Sequence, residues 1–111
     1  MNPSDVTEQY FASIRAKDLD GLIALYAADA SFTLPNGREF HGIDAIREMH
    51  RSVFASAGPV PTPLATVVGV NCIAVEIEAR MPDGSSRRTA NFYYLNEAGR
   101  IQRLSVYIKS G

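Results

Sequence analysis

Tyr10, Tyr26, His50 and Asn91 are the residues whose types could do chemistry and whose spacing sets them among apolar neighbours. Tyr10 falls on a helical stripe with Val6, Phe11 and Ile14. Tyr26 follows Leu19, Leu22 and Ile23, and His50 sits among Ile43, Ile46, Met49, Val53 and Phe54. Asn91 shares a strand face with Thr89, Tyr93 and Leu95. Hydroxyl and amide groups donate hydrogen bonds, and a neutral imidazole also accepts a proton. Buried polar groups need partners, so four that converge imply a network or a polar-lined cavity. Singly, each has a plainer reading: core tyrosines with hydroxyls reaching water, a satisfied core histidine, an asparagine holding a turn or bulge.

Other chemistry-bearing residues point nowhere specific. Glu76 and Glu78 share one strand face opposite Ile73, Val75, Ile77 and Ala79, which reads as a solvated face. There is no Gly-x-Ser-x-Gly elbow, and no glycine-rich loop leads a strand into a helix. His41 and His50 are not spaced as ligands on one helix face, so neither a metal nor a cofactor is expected. Cys72 is the single cysteine, which excludes an internal disulfide and a multi-cysteine zinc site. Nothing near it in sequence would activate it, so it reads as an inert thiol.

These residues need elements to hold them. Ser4 and Asp5, with Glu8 three residues past Asp5, open a first helix. Asp18 caps a second, carrying Tyr26 and ending near Asp29. Residues 31–34 alternate as a short strand, and Pro35-Asn36-Gly37 turns it back onto Arg38–His41. Gly42 closes that hairpin before a third helix with Arg47, Glu48 and Arg51 on its outer face. The three prolines of residues 57–63 end this helix and form a connection within one domain. Four strands follow, at about 64–70, 72–81, 86–95 and 101–109, with turns at Pro82-Asp83-Gly84-Ser85 and Asn96-Glu97-Ala98-Gly99. The order α-α-β-β-α-β-β-β-β implies an α+β fold with helices on one face of a curled sheet.

The chain has 111 residues, 46% hydrophobic and 21% charged, which fits one soluble domain over residues 1–111. Such a domain hides about two thirds of its unfolded surface, enough for a modest core without disulfides. Net charge is −1. No charge run and no basic stripe interleaved with aromatics occurs, so nucleic acid is not an expected partner. No apolar stretch approaches the ~18 residues of a membrane span. Met1-Asn2-Pro3-Ser4-Asp5 lacks a basic and an apolar leader region, so a cytoplasmic location is the expectation. Residues 86–95 are apolar on both faces: Ala90, Phe92 and Tyr94 lie opposite Thr89, Asn91, Tyr93 and Leu95. Leu104, Val106 and Ile108 oppose Arg103, Ser105 and Tyr107. Aromatic residues on the outer sheet face of so small a chain imply a homodimer through that face, scattered surface apolar residues being the bland alternative.

The run Asp18-Leu19-Asp20-Gly21-Leu22-Ile23-Ala24-Leu25-Tyr26-Ala27-Ala28-Asp29-Ala30 resembles the second-helix segment of the ketosteroid isomerase and SnoaL-like polyketide cyclase families, of the nuclear transport factor 2-like (NTF2-like) superfamily. The helix start at 42–48 and the hairpin Tyr94-Leu95-Asn96-Glu97-Ala98-Gly99-Arg100-Ile101 extend the likeness to about residues 5–109. It implies a cone of about three helices over a strongly curved, mainly antiparallel sheet, enclosing an apolar pocket and usually dimeric. For chemistry it is less specific, since the superfamily holds isomerases, cyclases, epoxide hydrolases, dehydratases and non-catalytic binders. By resemblance, Tyr10 falls at the oxyanion-hole tyrosine, and Tyr26 and His50 at groups bonded to it. Asn91 falls where the isomerases place a protonated aspartic acid as second donor, and an amide could also donate. The general-base position before the proline is Leu34, before Pro35, which weakens steroid isomerisation. A replacement base would be His50 first, then His41 or Glu39.

Three readings follow. The first is an isomerase- or cyclase-like enzyme, with lyase or hydrolase chemistry still open. It would act on a small apolar carbonyl-bearing molecule, with Tyr10 and Asn91 stabilising an oxyanion and His50 orienting Tyr10 or moving the proton. Tyr26, Leu34, Phe54 and Tyr93 would line the pocket. The second is a binding module that keeps the pocket without a base, and the third a dimeric scaffold whose cavity is filled by side chains.

Overall fold

The computed structural model describes residues 3–56 and 58–109. Met1, Asn2 and Ala57, on which part of the leader reading and part of the 57–63 connection rest, lie outside them. Two helices lead, α1 (Pro3–Ala16) and α2 (Leu19–Ile23), then the strands β1 (Tyr26–Thr33) and β2 (Glu39–His41). Helix α3 (Ile43–Ala55) precedes β3 (Val60–Val68), β4 (Cys72–Arg80), β5 (Ser86–Leu95) and β6 (Ile101–Ile108). The six strands form one sheet in the order β2-β1-β6-β5-β4-β3, antiparallel except for the parallel pair β1–β6. This α+β arrangement of three helices on one curved, mainly antiparallel sheet is the cone expected from the sequence. Register shifts at Tyr26/Ser31, Pro63/Ala65 and Tyr94/Leu95 interrupt the ladders. Bulges of this kind bend and twist strands, which curls the sheet under the helices.

Alternation decides which sheet face turns inward. Ile73, Val75, Ile77 and Ala79 are buried, while Glu76, Glu78 and Arg80 point to solvent. Ile73, Val75 and Ile77 pack with Val6, Phe11, Leu22, Ile23 and Ile46 from the helices, and Tyr93 and Leu104 from β5 and β6, in one core. The turns carry the chemistry their sequences call for. Gly84 and Gly99 adopt positive φ, and the Asn96 side chain accepts from the amides of Ala98 and Arg100.

Two expectations are corrected. The second helix stops at Ile23 instead of running to Asp29, and Tyr26 opens a strand. The reason is tertiary: the Ile101 amide donates to the Leu25 carbonyl at 2.8 Å, and β1 pairs with β6 from Tyr26 onward. Pairing and burial of Ala27 and Ala30 outweigh the helix preference of an alanine-rich run. The second correction is β3, which begins at Val60 and takes in Pro61 and Pro63. It is the sheet's edge strand, where a missing N–H can face solvent.

Candidate functional site

A cavity of about 470 Å³ opens between α1, α3 and the concave sheet face. Helical periodicity builds two of its walls. Tyr10, Phe11, Ile14 and Lys17 come from one side of α1 and its end; Met49, His50, Val53 and Phe54 come from α3. The sheet adds Phe32, Ile77, Ala79, Thr89, Asn91 and Val106, and Leu34 follows β1. Gly58, Pro59, Val60 and Pro61 close the remaining side. Most of this lining is hydrocarbon. Tyr10, His50, Thr89 and Asn91 supply neutral polar groups, and Arg15 and Lys17 supply charge. Among the described residues no carboxylate lines the cavity.

The neutral polar groups are wired together. His50 Nε2 lies 3.0 Å from the Tyr26 hydroxyl, and the Tyr26 hydroxyl in turn bonds that of Tyr10. Asn91 Nδ2 donates to the Tyr93 hydroxyl at 2.9 Å. The Tyr10 ring meets Tyr93 edge-on at 5.2 Å, which joins the two pairs into one cluster. Burial raises all three phenols above the ordinary tyrosine range, so they stay protonated and act as donors. For Tyr10 the bond with Tyr26 works against that rise, as a donor to its oxygen does, and it raises Tyr26 in turn. Burial pushes His50 down to about 4, so its imidazole is neutral at pH 7. With the proton on Nε2, His50 donates to Tyr26 and Tyr26 to Tyr10, leaving the Tyr10 hydrogen for a ligand. That order of donors is suited to meeting negative charge on a ligand oxygen.

The structure brings Tyr10, His50, Asn91, Leu34 and Phe54 to the cavity wall. Tyr26 and Tyr93 stand one layer behind it, at 3% and 0% exposure, each bonded to a residue that does line it. His41 and Glu39 pair with each other at 3.1 Å on the exposed β2, away from the cavity. Cys72 is half-buried and outside the cavity. No group of three metal-ligating side chains occurs among the described residues. The polar lining residues that the sequence did not mark as candidates are Arg15, Lys17 and Thr89. Arg15 follows Ile14 at the border of the α1 stripe, which is the one signal that could have marked it.

Residues 7–104 match the SnoaL-like domain family. An NTF2-like protein of unknown function from Mesorhizobium loti is 19% identical, with a TM-score of 0.87 over 97% of this chain and 91% of that one. A candidate polyketide cyclase from Sinorhizobium meliloti is 25% identical, with a TM-score of 0.78 over 96% of this chain and 99% of that one. SalBIII, an epoxide hydrolase/cyclase-like enzyme with a role in pyran ring formation in the polyether salinomycin, is 18% identical. Its TM-score is 0.84 over 96% of this chain and 90% of that one.

Proposed function

This chain belongs to the SnoaL-like domain family, and from that membership we propose that it holds one small, mostly apolar carbonyl-bearing molecule in the cone and stabilises negative charge on its oxygen. The reaction class is cyclase- or isomerase-like. The carrying observation is the buried relay from His50 through Tyr26 to Tyr10, whose two end residues both line an apolar cavity. Tyr10 and the Asn91 amide are the oxyanion donors. His50 is a positioning residue that acts through Tyr26. Held near 4, it is too weak a base to take a proton readily from carbon. With Leu34 at the wall and no carboxylate beside it, proton exchange between the ligand's own groups or with water fits better than steroid isomerisation.

Mass spectrometry of ligand released from natively purified protein names the molecule. Tyr10→Phe and Asn91→Ala are then each expected to lower its turnover by ~10²-fold or more, the usual cost of losing one oxyanion donor. Unchanged turnover in both variants contradicts the reading. The missing base favours a second reading, a binding module, in which the ligand is held and never converted. The proposal also includes a homodimer through the outer sheet face and a cytoplasmic setting. No helix among the described residues is long and apolar enough to cross a membrane.

A further inference from the structure

The cavity is neutral at depth and cationic at its mouth. Arg15 and Lys17, at the end of α1, are the only charged residues on its lining among the described ones. Neither forms a salt bridge among the described residues. Glu8 shares a separate recess of about 170 Å³ with Arg15, but no ion pair joins them. Cations in a last helical turn are ordinarily explained by the helix dipole. That explanation covers their sequence position and leaves their place on the cavity wall unexplained.

Lys17 also occupies a position that favours glycine. Its φ is 54°, the single positive φ of a non-glycine residue among those described. The Asp18 amide donates to the Ser13 carbonyl and the Lys17 amide to that of Ile14, which makes Lys17 the left-handed residue closing α1. A side chain there is disfavoured relative to glycine. Strain held at a cavity rim is the kind of outlier from which function is inferred. Its ammonium donates to the Phe54 carbonyl at 3.3 Å, reaching from α1 to the end of α3. That bond uses one of three hydrogens and leaves two.

We propose that the ligand is an apolar carboxylate, its body in the cavity and its carboxylate between Arg15 and Lys17 at the mouth. This inference rests on the cavity being a binding site and adds the charge of the ligand. A carbonyl at the Tyr10 end and a carboxylate at the rim together describe an oxo acid. The two cations select such a molecule over its uncharged analogues, and because they are exposed the selection weakens as salt screens them.

Binding of 2-naphthaleneacetate and of 2-naphthaleneethanol to the full chain, followed by fluorescence, tests this with one apolar body and two headgroups. At low salt the acid is expected to bind about tenfold more tightly, the scale of two exposed charge pairs. The preference should shrink at about 0.5 M salt. Arg15→Gln with Lys17→Gln should erase it while leaving the alcohol's affinity intact. Lys17→Gly should relieve the backbone, keep or raise Tm, and still lose part of the preference. Equal affinities for acid and alcohol, or a preference that survives the double substitution, overturn the proposal. Binding of neither probe overturns the cavity reading as well, so the alcohol alone separates the two failures.

Discussion

His50 is 3% exposed, and that burial moves its imidazole from 6.5 to about 4. Between those values the unfolded chain binds a proton there that the folded chain does not. Stability is therefore complete above pH 6.5 and falls as pH drops toward 4, by up to about 3 kcal/mol from this group. Thermal denaturation should show Tm declining from pH 6.5 to 5, above the range where carboxylates dominate. His50→Gln should flatten that decline, and a flat native profile would contradict neutral burial. Tyr10, His50 and Asn91 were legible in sequence as polar residues on apolar stripes, because helix and strand periods fix which way a side chain points. Tyr26 was legible as inward-facing but assigned to the wrong element. Arg15 and Lys17 were not legible, since the end of any helix favours a cation.

Capping and pairing set the elements that carry the site. Asp18 caps α2 by accepting from the Gly21 amide at 3.1 Å. Asp18→Ala should cost about 1 kcal/mol, a fall of about 4 °C in Tm for a domain of this size. Gly21→Ala ordinarily gains stability in a helix, but here a Cβ would strike the Asp18 carboxylate and displace the cap. The expected result is no gain, and a rise of several degrees would show that the cap contributes little. The same segment marks where sequence reading ends. Capping residues located the start of α2, but its end is set by β6, whose Ile101 amide takes the Leu25 carbonyl from more than seventy residues away. Local pattern contains no trace of that pairing. The prolines of β3 misled in the same way, because a strand's position at the sheet edge is a property of the whole sheet.

At the scale of the molecule, the sheet divides the apolar residues between an inner cavity and an outer face. On that outer face Phe92 meets Tyr107 edge-on at 5.5 Å, and Arg103 stacks over Tyr94 at 4.1 Å. Tyr107 is 58% exposed, a large aromatic surface for a small chain. Sedimentation is expected to give twice the 12.1 kDa chain mass, and Tyr107→Glu should shift it toward one chain. A monomer at all concentrations would remove the dimer from the proposal. Composition gives no sign of the cavity, whose volume depends on how far bulges curl the sheet. The central claim is that donors in that cavity meet negative charge on a bound oxygen. Its most direct measurement is a pH titration of a chromophoric nitrophenol bound to the native chain, in about 0.5 M salt so that the exposed rim cations are screened. The account predicts that the bound dye ionises at lower pH than the free dye, and that Tyr10→Phe moves it back up. Ionisation at higher pH than the free dye, which an apolar wall without donors imposes, would contradict it.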